Sequence, residues 1–99
     1  MTAQTTSDAH ITTEHASRYL QQLCKHWSHR FAETTFDAAH GVVPFGEATC
    51  TFDASSDALR LHLEAAPEQI ARMEEVVAKH LERFAFRETL DIRWTRSPA

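Results

Sequence analysis

Residues 24–31, CKHWSHRF, place a cysteine, two histidines, two basic residues and two large aromatics in eight positions. On a helix at about 100° per residue, His26 and His29 stand one turn apart, a spacing from which two imidazoles can reach one metal ion. A stable zinc site wants four ligands, or three and a water, and Cys24 points almost opposite to His26, so this helix alone offers two. The alternative reading of the pair is the boundary and surface of an ordinary amphipathic helix. A third histidine, His80, lies within the apolar arc of a later helix, near Val76, Val77 and Phe84. There it is expected to be largely buried, either as a neutral imidazole bonded to a backbone carbonyl or as a ligand or proton-transfer group reached from a cleft.

Pro44, Phe45 and Gly46 interrupt an alternating run, and Gly41 and Gly46 are the only glycines. Such an interruption marks an edge strand or bulge, or a place where a ligand approaches the backbone. For nucleophilic chemistry the sequence is poor, with no GxSxG, HExxH or phosphate loop. An enzyme would have to use His80 with His26, Glu82 or Glu88 assisting, and Glu82 falls on the opposite side of its helix from His80.

These residues need elements to hold them. From Thr13 to Phe31, Ala16, Tyr19, Leu20, Leu23, Cys24, Trp27 and Phe31 recur at three-and-four spacing, which predicts a first helix with Thr13 as its N-cap. Ahead of it, AHIT (9–12) reads as a short edge strand. The period then changes to two: ETTFD, VPFGEATCTF and ALRLHLE read as three strands separated by the turn formers AAHG (38–41) and DASSD (53–57). Pro67 and Glu68 open a second helix, striped by Ile70, Met73, Val77, Leu81 and Phe84, with Glu68/Arg72 and Glu75/Lys79 spaced to pair outside. TLDIRWT (89–95) resumes alternation.

The order (β)αβββαβ with short middle connections predicts an α+β two-layer sandwich, with an antiparallel sheet of four or five strands and two helices on one face. Its domain spans 13–96, between an N-terminal segment (1–12) and a tail (97–99). The expected core is Leu20, Leu23, Trp27, Phe52, Leu61, Val77, Leu81, Phe84, Ile92 and Trp94. Thr49, Thr51, Arg60, His62, Glu64, Asp91, Arg93 and Thr95 should occupy the wet face as cross-strand pairs.

Ninety-nine residues, 42% hydrophobic and 24% charged, suffice for one globular domain that needs no disulfide or metal to fold. Cys24 and Cys50 read as reduced, buried thiols. A net charge of −4 disfavours nucleic-acid binding, and no apolar run reaches membrane-spanning length. MTAQTTSDAH lacks a basic segment followed by an apolar stretch, so a cytoplasmic location is expected. No cofactor is implied.

The segments ASRYLQQLCKHWSHRF (16–31), VPFG (43–46), VVAKHLERFAFRE (76–88) and IRW (92–94) resemble the bacterial family termed domain of unknown function 2218. The resemblance implies a small bacterial protein without assigned activity or catalytic residues. Some relatives are joined to flavin-dependent, siderophore-interacting reductase domains. This chain has no such domain, which leaves the link to iron one of association. The expectation is therefore a non-enzymatic binding or accessory module for a small molecule or protein, using a surface near His26, His29, Phe45 and His80. The alternatives are a metal-dependent or acid/base enzyme using His80, and a structural homodimer.

Overall fold

The computed structural model describes residues 4–98, so positions 1–3 of the N-terminal segment and residue 99 of the tail lie outside the described residues. The elements run β1 (Thr5–Thr12), α1 (Ala16–Ser28), β2 (Thr35–Phe36), β3 (His40–Pro44), β4 (Ala48–Ala54), β5 (Ala58–Ala65), α2 (Ile70–Phe84) and β6 (Thr95–Pro98). They build an α+β sandwich whose single antiparallel sheet has six strands in the order β2-β3-β4-β5-β1-β6. Because β1 is antiparallel to both neighbours, β5 and β6 run parallel, joined through α2 across the inserted β1.

The sheet has one strand more than the alternation suggested, and it departs from that reading in three places. β1 is an eight-residue interior strand and not a short edge, and its inward residues include the polar Ser7 beside Ala9 and Ile11, which hides its period. VPFGEATCTF is two strands: the chain reverses at Gly46, whose φ of +95° suits a glycine at the first loop position of a tight hairpin, while the amide of Phe45 donates to the carbonyl of Ala48. Finally, TLDIRWT pairs only from Thr95 onward, and Ser97 and Pro98 belong to β6. Leu90, Ile92 and Trp94 alternate in an irregular segment and pack half-buried against the core.

Register puts the apolar set on one face. Gly41, Phe52, Leu61 and Ala9 lie opposite one another across four strands, as do Val43, Cys50, Leu63 and Ser7. α1 covers the first end of this face at Gly41 and α2 the other at Ser7, so both helices share it. Leu20, Leu23, Trp27, Phe52, Leu61, Val77 and Leu81 are buried as expected, with Phe84 half-buried at the edge. Each fully buried leucine contributes about 1.5–3 kcal/mol.

The helix boundaries differ in detail. α1 starts after His15, without a side-chain cap. Thr13 instead accepts from the amide of His15 at 3.1 Å and donates to Glu88 at 3.0 Å. On α2 the exposed pair Glu75/Lys79 closes at 2.7 Å. The buried stripe, however, is Ile70, Glu74, Val77 and Leu81, so a carboxylate stands in the core line. Glu74 is 8% exposed. Its Oε2 accepts from Ser7 Oγ at 2.6 Å and Arg96 Nε at 2.9 Å, and its Oε1 accepts from Arg96 Nη2 at 2.7 Å. The guanidinium, with help from the Ser7 hydroxyl, holds the Glu74 carboxyl below its ordinary pKa against the opposing effect of burial.

Two outcomes follow for stability. Glu74→Gln strips the charge from this bond set and should cost about 1.5–3 kcal/mol in urea unfolding, with β6 amides losing exchange protection first. Because the folded pKa lies below the unfolded one, this stabilisation is present above the ordinary carboxylate range. It disappears as pH falls through Glu74's folded value, and the variant should lack that acid dependence. Gly41→Ala would set a Cβ 2.6 Å from Cys24 Sγ and 3.1 Å from Phe36 Cβ, an overlap expected to cost about 1–3 kcal/mol, part of which Cys24→Ala should restore.

Candidate functional site

Three pieces of chain frame one groove of about 730 Å³: the C-terminal end of α1, one stripe of α2, and the β3–β4 turn. From α1 come His26 and Trp27 and, just beyond its end, His29, Arg30 and Phe31. From α2 come Arg72, Met73, Val76 and His80, preceded by Gln69, a set that recurs at helical spacing. The turn supplies Phe45, Gly46, Glu47 and Ala48. All four residues that the sequence marked, His26, His29, Phe45 and His80, therefore border the same space.

The floor is aromatic. Trp27 lies edge-on to Phe45 at 5.0 Å between ring centroids and tilted against Phe52 at 6.1 Å, and Phe31 meets Phe45 at 5.1 Å. Such edge-to-face contacts are favourable beyond their burial and fix the rings in place. Phe45 is held up by the hairpin, because the positive φ of Gly46 turns the chain immediately behind it. No atom lies within 4 Å of where a Gly46 Cβ would be, so backbone conformation and not crowding sets the need for glycine there.

The two helices bring His26 and His80 together, with ring centroids 5.4 Å apart. His80 also lies 5.1 Å from Trp27, and His26 lies 5.8 Å from Phe84. His80 is half-buried, less than its place in the apolar arc suggested, because the groove opens beside it. Its Nδ1 lies 2.7 Å from the carbonyl of Val76, one turn back, and since a carbonyl only accepts, Nδ1 carries the proton. In the tautomer that this bond selects, the lone pair is at Nε2. His26 and His29 are exposed at the rim.

Neither carboxylate suggested as a helper for His80 is placed to assist. Glu88 accepts from Thr13 at 3.0 Å and closely from the Tyr19 hydroxyl, at a separate cleft. Burial and the Glu88 carboxylate push the Tyr19 pKa up to about 12, and the same bond lowers that of Glu88. Glu82 is exposed and absent from the groove lining. Among the described residues, no three His, Cys, Asp or Glu side chains gather closely enough to enclose a metal ion.

The groove includes residues that the sequence reading did not single out as a site: Arg30, Phe31, Arg72, Met73 and Val76. Rim cations fit its character, since Arg30 and Arg72 have no carboxylate within 4.0 Å among the described residues. The pattern that could have found Arg72, Met73 and Val76 is the shared side of α2 running through 72, 73, 76 and 80, flanking the buried stripe.

A smaller depression of about 420 Å³ lies on the opposite, helix-free face, among Asp8, His10, Arg60, His62, Arg93 and Thr95. Part of its chemistry is satisfied internally. His62 Nδ1 pairs with Asp8 at 2.6 Å and Nε2 with Glu64 at 3.2 Å, while His40 pairs with Asp53 at 2.7 Å. These pairs realise the expected mixed-charge wet face, with β1 adding Asp8 and His10.

Fold and groove together define a class: a small α+β sandwich with an aromatic-floored, imidazole-rimmed cleft where its two helices meet a hairpin. The chain belongs to the family of uncharacterized proteins conserved in bacteria (DUF2218), whose model matches residues 8–95. It is similar to PA4090 from Pseudomonas aeruginosa, solved by NMR, with 38% sequence identity over 91% of this chain and 94% of that one, and a TM-score of 0.76. No curated protein matches it. No helix among the described residues is long and apolar enough to cross a membrane.

The histidine on the sheet face gives a direct check of the electrostatics. Asp8, followed by Glu64, raises the pKa of His62 above 6.5, with burial opposing. Its stabilising contribution is accordingly complete below the unfolded value and lost as pH rises through the folded one. NMR titration should find His62 titrating above a free imidazole, and Asp8→Asn should bring it down. The side chain is 39% exposed, so the accompanying change in stability should be small.

Proposed function

We propose that this protein is a non-enzymatic binding module whose groove between α1, α2 and the β3–β4 turn takes a small molecule with a flat apolar body and an anionic group. One observation carries the reading: Trp27, Phe31 and Phe45 are packed edge to face as a preformed aromatic floor in an open cleft that also holds Arg30, Arg72 and three imidazoles. Ligand sites are of this kind, mostly apolar with a few convergent polar groups. The half-buried rings of Phe31 and Phe45 offer apolar surface to a planar body, and the two guanidiniums offer paired donors to carboxylate or phenolate oxygen. In a chain of net charge −4, a rim with two cations and one carboxylate, Glu47, also steers an anion to this end of the molecule.

The association of some relatives with siderophore-interacting reductase domains directs the choice of candidates toward iron metabolism. Haem and ferric siderophores combine planar or aromatic groups with acidic oxygens. They suit both the floor and the rim. Such a module would hold or hand over its ligand in the cytoplasm and leave redox chemistry to a separate protein.

Titration with haem, a ferric catecholate and a ferric hydroxamate, followed by amide and indole NMR shifts, tests the reading. Shifts should cluster at Trp27, Phe45, Gly46 and His80, and Phe45→Ala should weaken binding tenfold or more while leaving the fold intact. Absence of any shift around the groove with all three probes would remove it.

A further inference from the structure

We propose that the groove selects a hydroxyl on its ligand, seated between the indole N–H of Trp27 and Nε2 of His80, which makes the ligand an elongated hydroxyaryl acid. The inference rests on the binding site proposed above and deepens it, adding a hydroxyl seat to the aromatic surface and the arginines.

Two nitrogens carry it. Trp27 is only 5% exposed, and its Nε1, which can donate but not accept, has no acceptor among the described residues. Among those residues no side-chain nitrogen or oxygen is both sealed from solvent and unbonded, so this corner of an otherwise buried ring is open, and the cavity Trp27 lines is the groove. His80 is the complementary case. Its Nδ1 donates to the Val76 carbonyl at 2.7 Å, so in that tautomer Nε2 only accepts, has no donor among the described residues, and is likewise open where His80 borders the groove. The two rings lie beside each other, with centroids 5.1 Å apart.

A donor and an acceptor side by side in an apolar wall are complementary to a group that is both. A hydroxyl is the smallest: its oxygen accepts from the indole and its proton goes to the imidazole. An ether would satisfy Trp27 alone, and a carboxylate has no proton for His80. The other end of the ligand is set by α2, where Arg72 precedes His80 by eight positions, roughly 12 Å of helix rise, and both line the groove. An acid held by Arg72 therefore stands at the far end of the planar body from the hydroxyl, not on the neighbouring carbon.

The full chain titrated with 6-hydroxy-2-naphthoate, 6-methoxy-2-naphthoate, 2-naphthoate and 3-hydroxy-2-naphthoate is the test, read by calorimetry and by indole and imidazole nitrogen NMR. The 6-hydroxy acid should bind tenfold or more tighter than the other three, because a site built to hydrogen-bond a hydroxyl discriminates against analogues that leave its polar groups unpaired. The Trp27 side-chain N–H and His80 Nε2 should shift together, while the indole of Trp94, outside the groove, stays unmoved. His80→Phe should bind the 6-hydroxy and 6-methoxy acids equally; the comparison of acids on the parent chain decides even if that variant disturbs packing around Trp27. Equal affinity of those two acids for the parent chain, binding that leaves the Trp27 N–H unmoved, or no binding of the 6-hydroxy acid would overturn the proposal. Equal affinities with shifts around the groove would sink the hydroxyl seat and leave the binding site standing, and the haem and siderophore titrations test that site separately.

Discussion

The carboxylate of Glu74 is the constraint on which the arrangement rests. A charge inside an apolar stripe is costly unless every oxygen finds a donor. Here the donors come from two other elements, Ser7 on β1 and Arg96 on β6. Satisfying one side chain therefore fixes the helix against an interior strand and draws the last strand alongside it. Hydrophobic contact alone is non-directional and would tolerate a helix that slides or rolls. The bidentate guanidinium does not, and the residues of α2 that line the groove take their places from it.

Much of this architecture was legible in the sequence because two periods, 3.6 and 2, are written in apolar residues: Leu20, Leu23 and Trp27 for α1, and Leu59, Leu61 and Leu63 for β5. What escaped had physical causes. β1 carries Ser7 on its inward face, a polar residue whose partner lies on α2, so the local pattern marks only its second half, AHIT (9–12). The hairpin at Gly46 lay inside a run read as one strand interrupted by an edge feature or bulge. A shift in parity records it, with inward positions at 41 and 43 before the turn and at 48, 50 and 52 after it. Residues 89–94 misled in the other direction, since Leu90, Ile92 and Trp94 alternate in a segment that packs on the core without strand pairing. The carboxylate in the α2 stripe could not be anticipated locally, because Arg96 is 22 positions further along.

The groove was legible one residue at a time and not as a unit. Helical geometry placed His26 at the edge of α1 and His80 within the arc of α2, yet their meeting depends on how two helices lie on a sheet, which no periodicity encodes. Phe45 was marked by its neighbours, proline and glycine, and its role in the floor appears only when the hairpin lifts it against Trp27 and Phe31. Close approach at Gly41 proved to be made by Cys24 of α1. The same lesson applies to both thiols, whose pKa values burial pushes upward, to about 12 for Cys24, so that neither is a ready nucleophile.

The sheet's margins have a bearing on how the molecule keeps to itself. At one border β2 pairs over only Thr35 and Phe36; at the other β6 is four residues long and ends in Pro98, which has no amide hydrogen to give. An incoming extended chain finds few consecutive main-chain donors and acceptors to continue the ladder at either side. Lateral fusion of sheets into ribbons and fibrils is thereby discouraged by backbone length alone, while the longer strands, with the most adhesive side chains, stay sequestered in the middle.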